Sequence, residues 1–195
     1  MNSVKIFSFL LIPGIIALAS CSNNNSKTTT TDSTSTVSEK ITAAVDTAKA
    51  ALTPDPNKSF ANDAASDNMK ELAWLQAGID HGTNKELKAH AKMMLKDHAA
   101  LAGEVNVYAA KKAWQLPTVD TIGLATLADK PGKEWDNAWV DKMVDAHQDA
   151  IDKFEKAQGQ VTDPDLKAII DKTLPTLHSH YDMMKKMQDN MSSMK

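Results

Sequence analysis

The chain contains no arginine. Its 22 basic residues are all lysine, set against 25 aspartates and glutamates, for a formal net charge of −3 over 195 residues. A nucleic-acid binder normally shows a basic excess and arginine forks for phosphate and guanine, so nucleic acid is not an expected partner. A single cysteine rules out a disulfide scaffold and leaves no Cys-x-x-Cys pair for a thiolate zinc site. Seven glycines, none of them clustered, leave no phosphate-cradling loop and no dinucleotide fingerprint. There is no Gly-x-Ser-x-Gly, no His-Glu-x-x-His and no thiol in the body of the chain, so no catalysed reaction can be read from motifs. What is present, 42% hydrophobic and 24% charged residues, is enough for one domain with its own core.

The first residues read as an address. Lys5 opens a short positive region, and Ile6 to Ala19 is mostly apolar, broken by Ser8 and Pro13-Gly14. A membrane-crossing helix needs ~20 apolar residues, so this run is too short for a span and fits a secretory signal over residues 1–20. It ends Leu18-Ala19-Ser20-Cys21. This resembles the bacterial lipoprotein signal, in which the cysteine is lipidated and becomes the mature N-terminus. The resemblance implies a membrane partner held through acyl chains on Cys21, and several such chains anchor firmly. Ser22, where an aspartate would divert sorting, points by analogy to the outer membrane facing the periplasm.

Residues 21–58 read as a tether. Ser22 to Thr36 is almost wholly Ser, Thr and Asn and cannot bury enough apolar area to offset the entropy of ordering. Val37 to Leu52 allows a short amphipathic helix, with Ile41, Val45, Ala48 and Leu52 at helical spacing, before Pro54 and Pro56 interrupt it. From Ser59 the periodicity is helical throughout. Expected helices cover 59–81, 84–114, 134–159 and 164–193. Thr83 and Glu86 are placed to form a capping box, Asp163-Pro164 marks a helix start, and Pro175 is expected to kink the last helix. Gln115 to Lys133 is a long connection with an expected short helix near 121–129. The fold class is all-α, a four-helix bundle over residues 59–193 with a long connection between helices 2 and 3.

Each helix carries one polar residue where an apolar one belongs. At 100° per residue, His98 falls inside the stripe of Met94, Leu101 and Val105, and His147 sits near the centre of its own stripe. His180 lies about 40° and Glu71 about 50° from the centre of theirs. With antiparallel neighbours, His98 is level with residue 67, one turn from Glu71, and His147 with residue 176, one turn from His180. His81 and His178 fall on opposite, solvated faces, and His90 sits near an edge. Three imidazoles and a carboxylate suit one transition-metal ion, Zn, Fe, Mn or Cu, with Asn68, Asp97 and Asp136 available to orient the rings from behind. The alternative is a metal-free polar network that fixes helix register. Leu95, Val144 and Leu177 stand three residues before the histidines, so the Glu-x-x-His pattern of di-iron bundles is absent. Met183, Met184, Met187, Met191 and Met194 crowd the end of the last helix, as core filler or as thioethers for Cu(I).

These residues carry a family resemblance. Met94-Leu95-Lys96-Asp97-His98, Trp135-Asp136 with Met143-Val144-Asp145-Ala146-His147, and Leu174-Pro175 before His180 resemble the domain-of-unknown-function 4142 family over residues 59–187. Phe60, Ala64 and Glu71 fit its first helix, and Leu116-Pro117 its long connection. The resemblance implies a ferritin-like bundle in which helices 2 and 3 run parallel, on a secreted or envelope-bound bacterial protein often labelled an outer-membrane protein. It implies no activity. The protein is thus expected to be an envelope lipoprotein whose bundle binds a metal ion, or a metal-free structural or interaction module with protein partners unknown.

Overall fold

A computed structural model describes residues 54–123, 127 and 132–193. These residues belong to one of two compact units, Ala48–Lys195. The signal, Cys21, the tether to residue 53, most of the expected short helix at 121–129, and Met194 lie outside the described residues. Among the described residues there are four helices and no strands: α1 (Pro56–His81), α2 (Lys85–Lys111), α3 (Lys133–Gln160) and α4 (Pro164–Ser193).

The helix ends follow local chemistry. α1 starts three residues before the expected Ser59, because Asp55 accepts from the Asn57 backbone N–H and Pro56 takes the first turn. This Asp-Pro start has the same logic as Asp163-Pro164, where Asp163 accepts from the backbone of Asp165 and Leu166. The expected Thr83–Glu86 capping box is not what forms. Asn84 caps α2, accepting from Glu86 and Leu87, while the Thr83 hydroxyl donates to Asp136. α2 ends at Lys111 rather than 114, with Ala113 in left-handed backbone at φ 54°. α4 runs through Pro175, whose missing N–H leaves the Asp171 carbonyl without its ordinary helix partner.

Contacts at the two ends establish topology. Asp136, in the first turn of α3, accepts from the backbone N–H of Thr83 and Asn84 at the start of α2. Lys112, just past α2, pairs with Asp163 at the start of α4, and Asn57 in α1 accepts from the backbone N–H of Thr162 and Asp163. The starts of α2 and α3 therefore share one end of the bundle, and the start of α1 shares the other with the end of α2. α1 packs on α2 and α3, and α4 packs on α3 and α2. Every neighbouring pair is antiparallel, α2 and α3 are parallel across the diagonal, and the connection between them leaves from one end of the bundle and enters α3 at the other. That is the ferritin-like crossover.

The core is divided in two. One apolar cluster holds Leu101, Val105, Ile151, Phe154, Leu166, Ile170 and Leu177 with their neighbours. The other holds Leu75, Leu87, Met94, Trp139, Val140, Met143 and Met184 with theirs. Met187 and Met191 are buried in this second cluster as well. Near mid-height, where the two clusters meet, five buried polar residues come together: Asn68, Glu71, His98, His147 and His180.

Candidate metal centre

The three histidines come from three helices, each near its midpoint, and all are buried. Their rings stand close together. Centroids are 5.5 Å apart for His98 and His147, 5.6 Å for His98 and His180, and 5.3 Å for His147 and His180. One ligand atom from each lies within 4.8 Å of one from both others.

Each ring is held by one nitrogen. His98 Nδ1 lies 2.8 Å from Asn68 Oδ1 and 3.0 Å from Glu71 Oε2. Asn68 also donates through its amide nitrogen to the His98 carbonyl, at 3.0 Å, so it grips ring and backbone together. His147 Nδ1 lies 2.8 Å from the Met143 carbonyl one turn back. His180 Nε2 lies 3.1 Å from Asp97 Oδ2. In a neutral ring the nitrogen facing a carboxylate or carbonyl carries the proton. The other nitrogens, His98 Nε2, His147 Nε2 and His180 Nδ1, are buried and have no hydrogen-bond partner. They are bare lone pairs.

Burial favours the neutral form of His147 and His180. Burial pushes the His147 imidazole down from its ordinary value, and the neighbouring His98 adds to this against the pull of Glu71. Burial, then the His147 and His98 rings, push His180 down to about 4 against the hydrogen bond it donates to Asp97. Burial pushes the Glu71 carboxyl up, but the hydrogen bond from His98 and the attraction of His98 and His147 outweigh it and leave it lowered.

Three unpaired acceptors in one layer are hard to satisfy with protons. A buried unsatisfied acceptor costs about 1–3 kcal/mol. One water has two hydrogens and serves two of the three at most. A cation serves all three. Nitrogen ligation at about 2.0–2.1 Å needs nitrogens about 3.3–3.6 Å apart, so the rings have to draw in by no more than about 1.5 Å. The donor set fits: three neutral imidazoles, each backed by an oxygen, is the arrangement by which proteins orient metal-binding histidines.

The other expected residues divide. Glu71 lies behind His98, on Nδ1, rather than among the bare nitrogens. Asn68 and Asp97 stand behind rings, as expected of them. Asp136 does not. It is buried but reaches no histidine, and instead accepts from the backbone N–H of Thr83 and Asn84, just before α2. His81 and His178 are exposed and His90 is half-buried. The Met143 carbonyl was missed by the sequence reading, although a backbone partner four residues before an inward histidine is available on any helix.

The comparisons bear on fold and family. The profile described as "Domain of unknown function (DUF4142)" matches residues 42–187. No curated protein matches the sequence. Among solved structures, a DUF305 fragment from Deinococcus radiodurans is 10% identical, with a TM-score of 0.62, over 71% of this chain and 97% of that one. A DUF305 protein from Streptomyces coelicolor, described as secreted, is 12% identical, with a TM-score of 0.63, over 71% and 94%. CopM in its Cu(I)-bound form is 16% identical, with a TM-score of 0.58, over 69% and 96%. At these identities the likeness is one of fold.

Proposed function

We propose that this chain, which belongs to the DUF4142 family, is a lipid-anchored envelope protein that binds one transition-metal ion through His98, His147 and His180. Two observations carry the reading: the three buried histidines each bring a ring nitrogen within 4.8 Å of the others, and each has one ring nitrogen without a hydrogen-bond partner. Glu71 and Asp97 orient two of the rings and supply negative charge just behind them, which offsets the cost of burying a cation. An all-nitrogen set suits Cu or Zn better than Mn, which favours oxygen. Copper is the favoured occupant, because the similarly folded CopM holds Cu(I). The role is binding or holding metal. Anchoring is supported by Leu18-Ala19-Ser20-Cys21, and an extracytoplasmic location by the secreted Streptomyces neighbour.

Elemental analysis tests the site. The mature chain carrying Cys21→Ser, supplied with Zn, Fe, Mn and Cu, is expected to retain close to one equivalent of one metal, and the same chain with His147→Ala almost none. Less than a tenth of an equivalent in the first protein overturns the reading. Incorporation of labelled palmitate by the wild-type chain and not by Cys21→Ser supports the anchor, and an unlabelled wild type refutes it.

A further inference from the structure

Two openings run from the surface to a histidine of the polar layer, on different faces. The larger, about 800 Å³, lies between α1 and α3 and reaches Asn68, Glu71 and His98. The smaller, about 140 Å³, lies between α2 and α4 and is lined by Asp97, Glu104, Lys172, Thr176, His98 and His180. Each is spanned by a lysine–carboxylate pair joining its two helices: Lys153 with Asp67 across the first, Lys172 with Glu104 across the second. The openings are thus built alike, with a surface ion pair outside and a histidine-bound carboxylate within.

They differ in what a cation would meet. The large opening touches one histidine, and Glu71, buried to 7% exposure, occupies that ring's Nδ1. The small opening touches two of the three histidines, and both carry a bare nitrogen. Its carboxylate, Asp97, is 40% exposed and already 3.1 Å from His180. We infer that metal reaches the histidines through the opening between α2 and α4, with Asp97 as the receiving group and the Lys172–Glu104 pair restricting passage. This rests on the metal-binding reading. A liquid water takes about 30 Å³, so a passage of about 140 Å³ admits an ion that keeps part of its hydration shell. Asp97 replaces part of that shell, and carboxylates lining a cleft raise the local cation concentration. Lys172 opposes this by its charge and by its hold on Glu104.

The test is the rate of Co²⁺ uptake by the mature Cys21→Ser chain, followed by stopped-flow through the visible absorption that Co²⁺ gains on nitrogen ligation. Lys172→Met is expected to speed uptake and release alike, roughly three- to tenfold, with the equilibrium constant unchanged. Thr176→Leu fills the passage and is expected to slow both by at least as much. Lys153→Met makes the same charge change on the opposite face and is expected to leave both rates alone. Far-UV circular dichroism and thermal unfolding confirm that each variant folds. If Lys153→Met accelerates uptake and Lys172→Met does not, the route is the other opening. If none of the three alters the rates while wild type binds Co²⁺, the route is wrong and the metal site stands. If wild type takes up neither Co²⁺ nor any metal in the elemental analysis, both readings fall.

Discussion

Replacing His147 with leucine is expected to stabilise the metal-free protein. His147 is wholly buried at 0% exposure, and its Nε2 has no partner. Its Nδ1 is bound only to the Met143 carbonyl, which as a helix carbonyl already accepts from the backbone N–H four residues on. Leucine has nearly the volume of histidine and joins Met143 and Val144 against the same core. The substitution therefore removes a bare acceptor that costs about 1–3 kcal/mol and gives up a bond of small net value. At about 2–4 °C per kcal/mol for a chain of this size, the gain raises the melting temperature by about 2–12 °C. Metal reverses the order. An ion that binds only the folded state stabilises wild type by about 2.7 kcal/mol at a hundred times its dissociation constant, while His147→Leu, with two ligands left, gains little. Thermal unfolding of both proteins, in chelator and in excess copper, should give melting curves that exchange places. A His147→Leu protein less stable than wild type in chelator, together with a wild type indifferent to copper, refutes the reasoning: the layer is then a satisfied structural network.

Three further outcomes follow from the same structure. In long-range ¹H–¹⁵N spectra of the metal-free protein, His98 and His147 should be the Nδ1–H tautomer and His180 the Nε2–H tautomer, since Asp97 holds Nε2 of the last ring; three identical tautomers contradict this. Stability of the metal-free protein should fall as pH drops from about 6.5, the unfolded value, toward 4, because His180 folded titrates at about 4. In that window the unfolded chain binds the extra proton, so the unfolding free energy rises with pH. The whole effect of this ring is at most about 3 kcal/mol and is reduced by solvent at its Asp97 partner; chemical denaturation at several pH values measures it, and a flat profile contradicts it. Gly78→Ala should destabilise by about 1–3 kcal/mol, read as a lower melting temperature. A Cβ there would sit 2.6 Å from the Trp139 ring, and that ring is pinned by its 2.7 Å bond to the Trp74 carbonyl.

Much of the fold was legible because helix periodicity is a local property. Apolar residues three and four apart must share a face, so the four helices and their inward sides emerge without knowledge of partners, and so do the odd polar residues on those sides. Ends were less legible. Asp55-Pro56 carries a capping signal, but its proximity to Pro54 makes the pair look like a break in the chain. Thr83 and Glu86 satisfy the spacing of a capping box, yet Asp136, some fifty residues later, takes the Thr83 hydroxyl and leaves the cap to Asn84. The parallel course of α2 and α3 came from family resemblance alone, since a long connection can lead either way. The ring assignments were out of reach for another reason. A helical wheel gives the direction of a Cβ, whereas the nitrogen a histidine bares depends on the oxygen that meets its other one.

By itself the chain determined an all-α body with polar residues turned inward from each helix, because helical periodicity is written in the order of near neighbours. Only the tertiary structure decided that three imidazoles meet while Glu71 stands behind one of them, that Asp136 serves a helix end, and that two passages lead inward. Those outcomes depend on which helices are adjacent and at what height, and residues far apart in sequence acquire such relations only when the bundle closes.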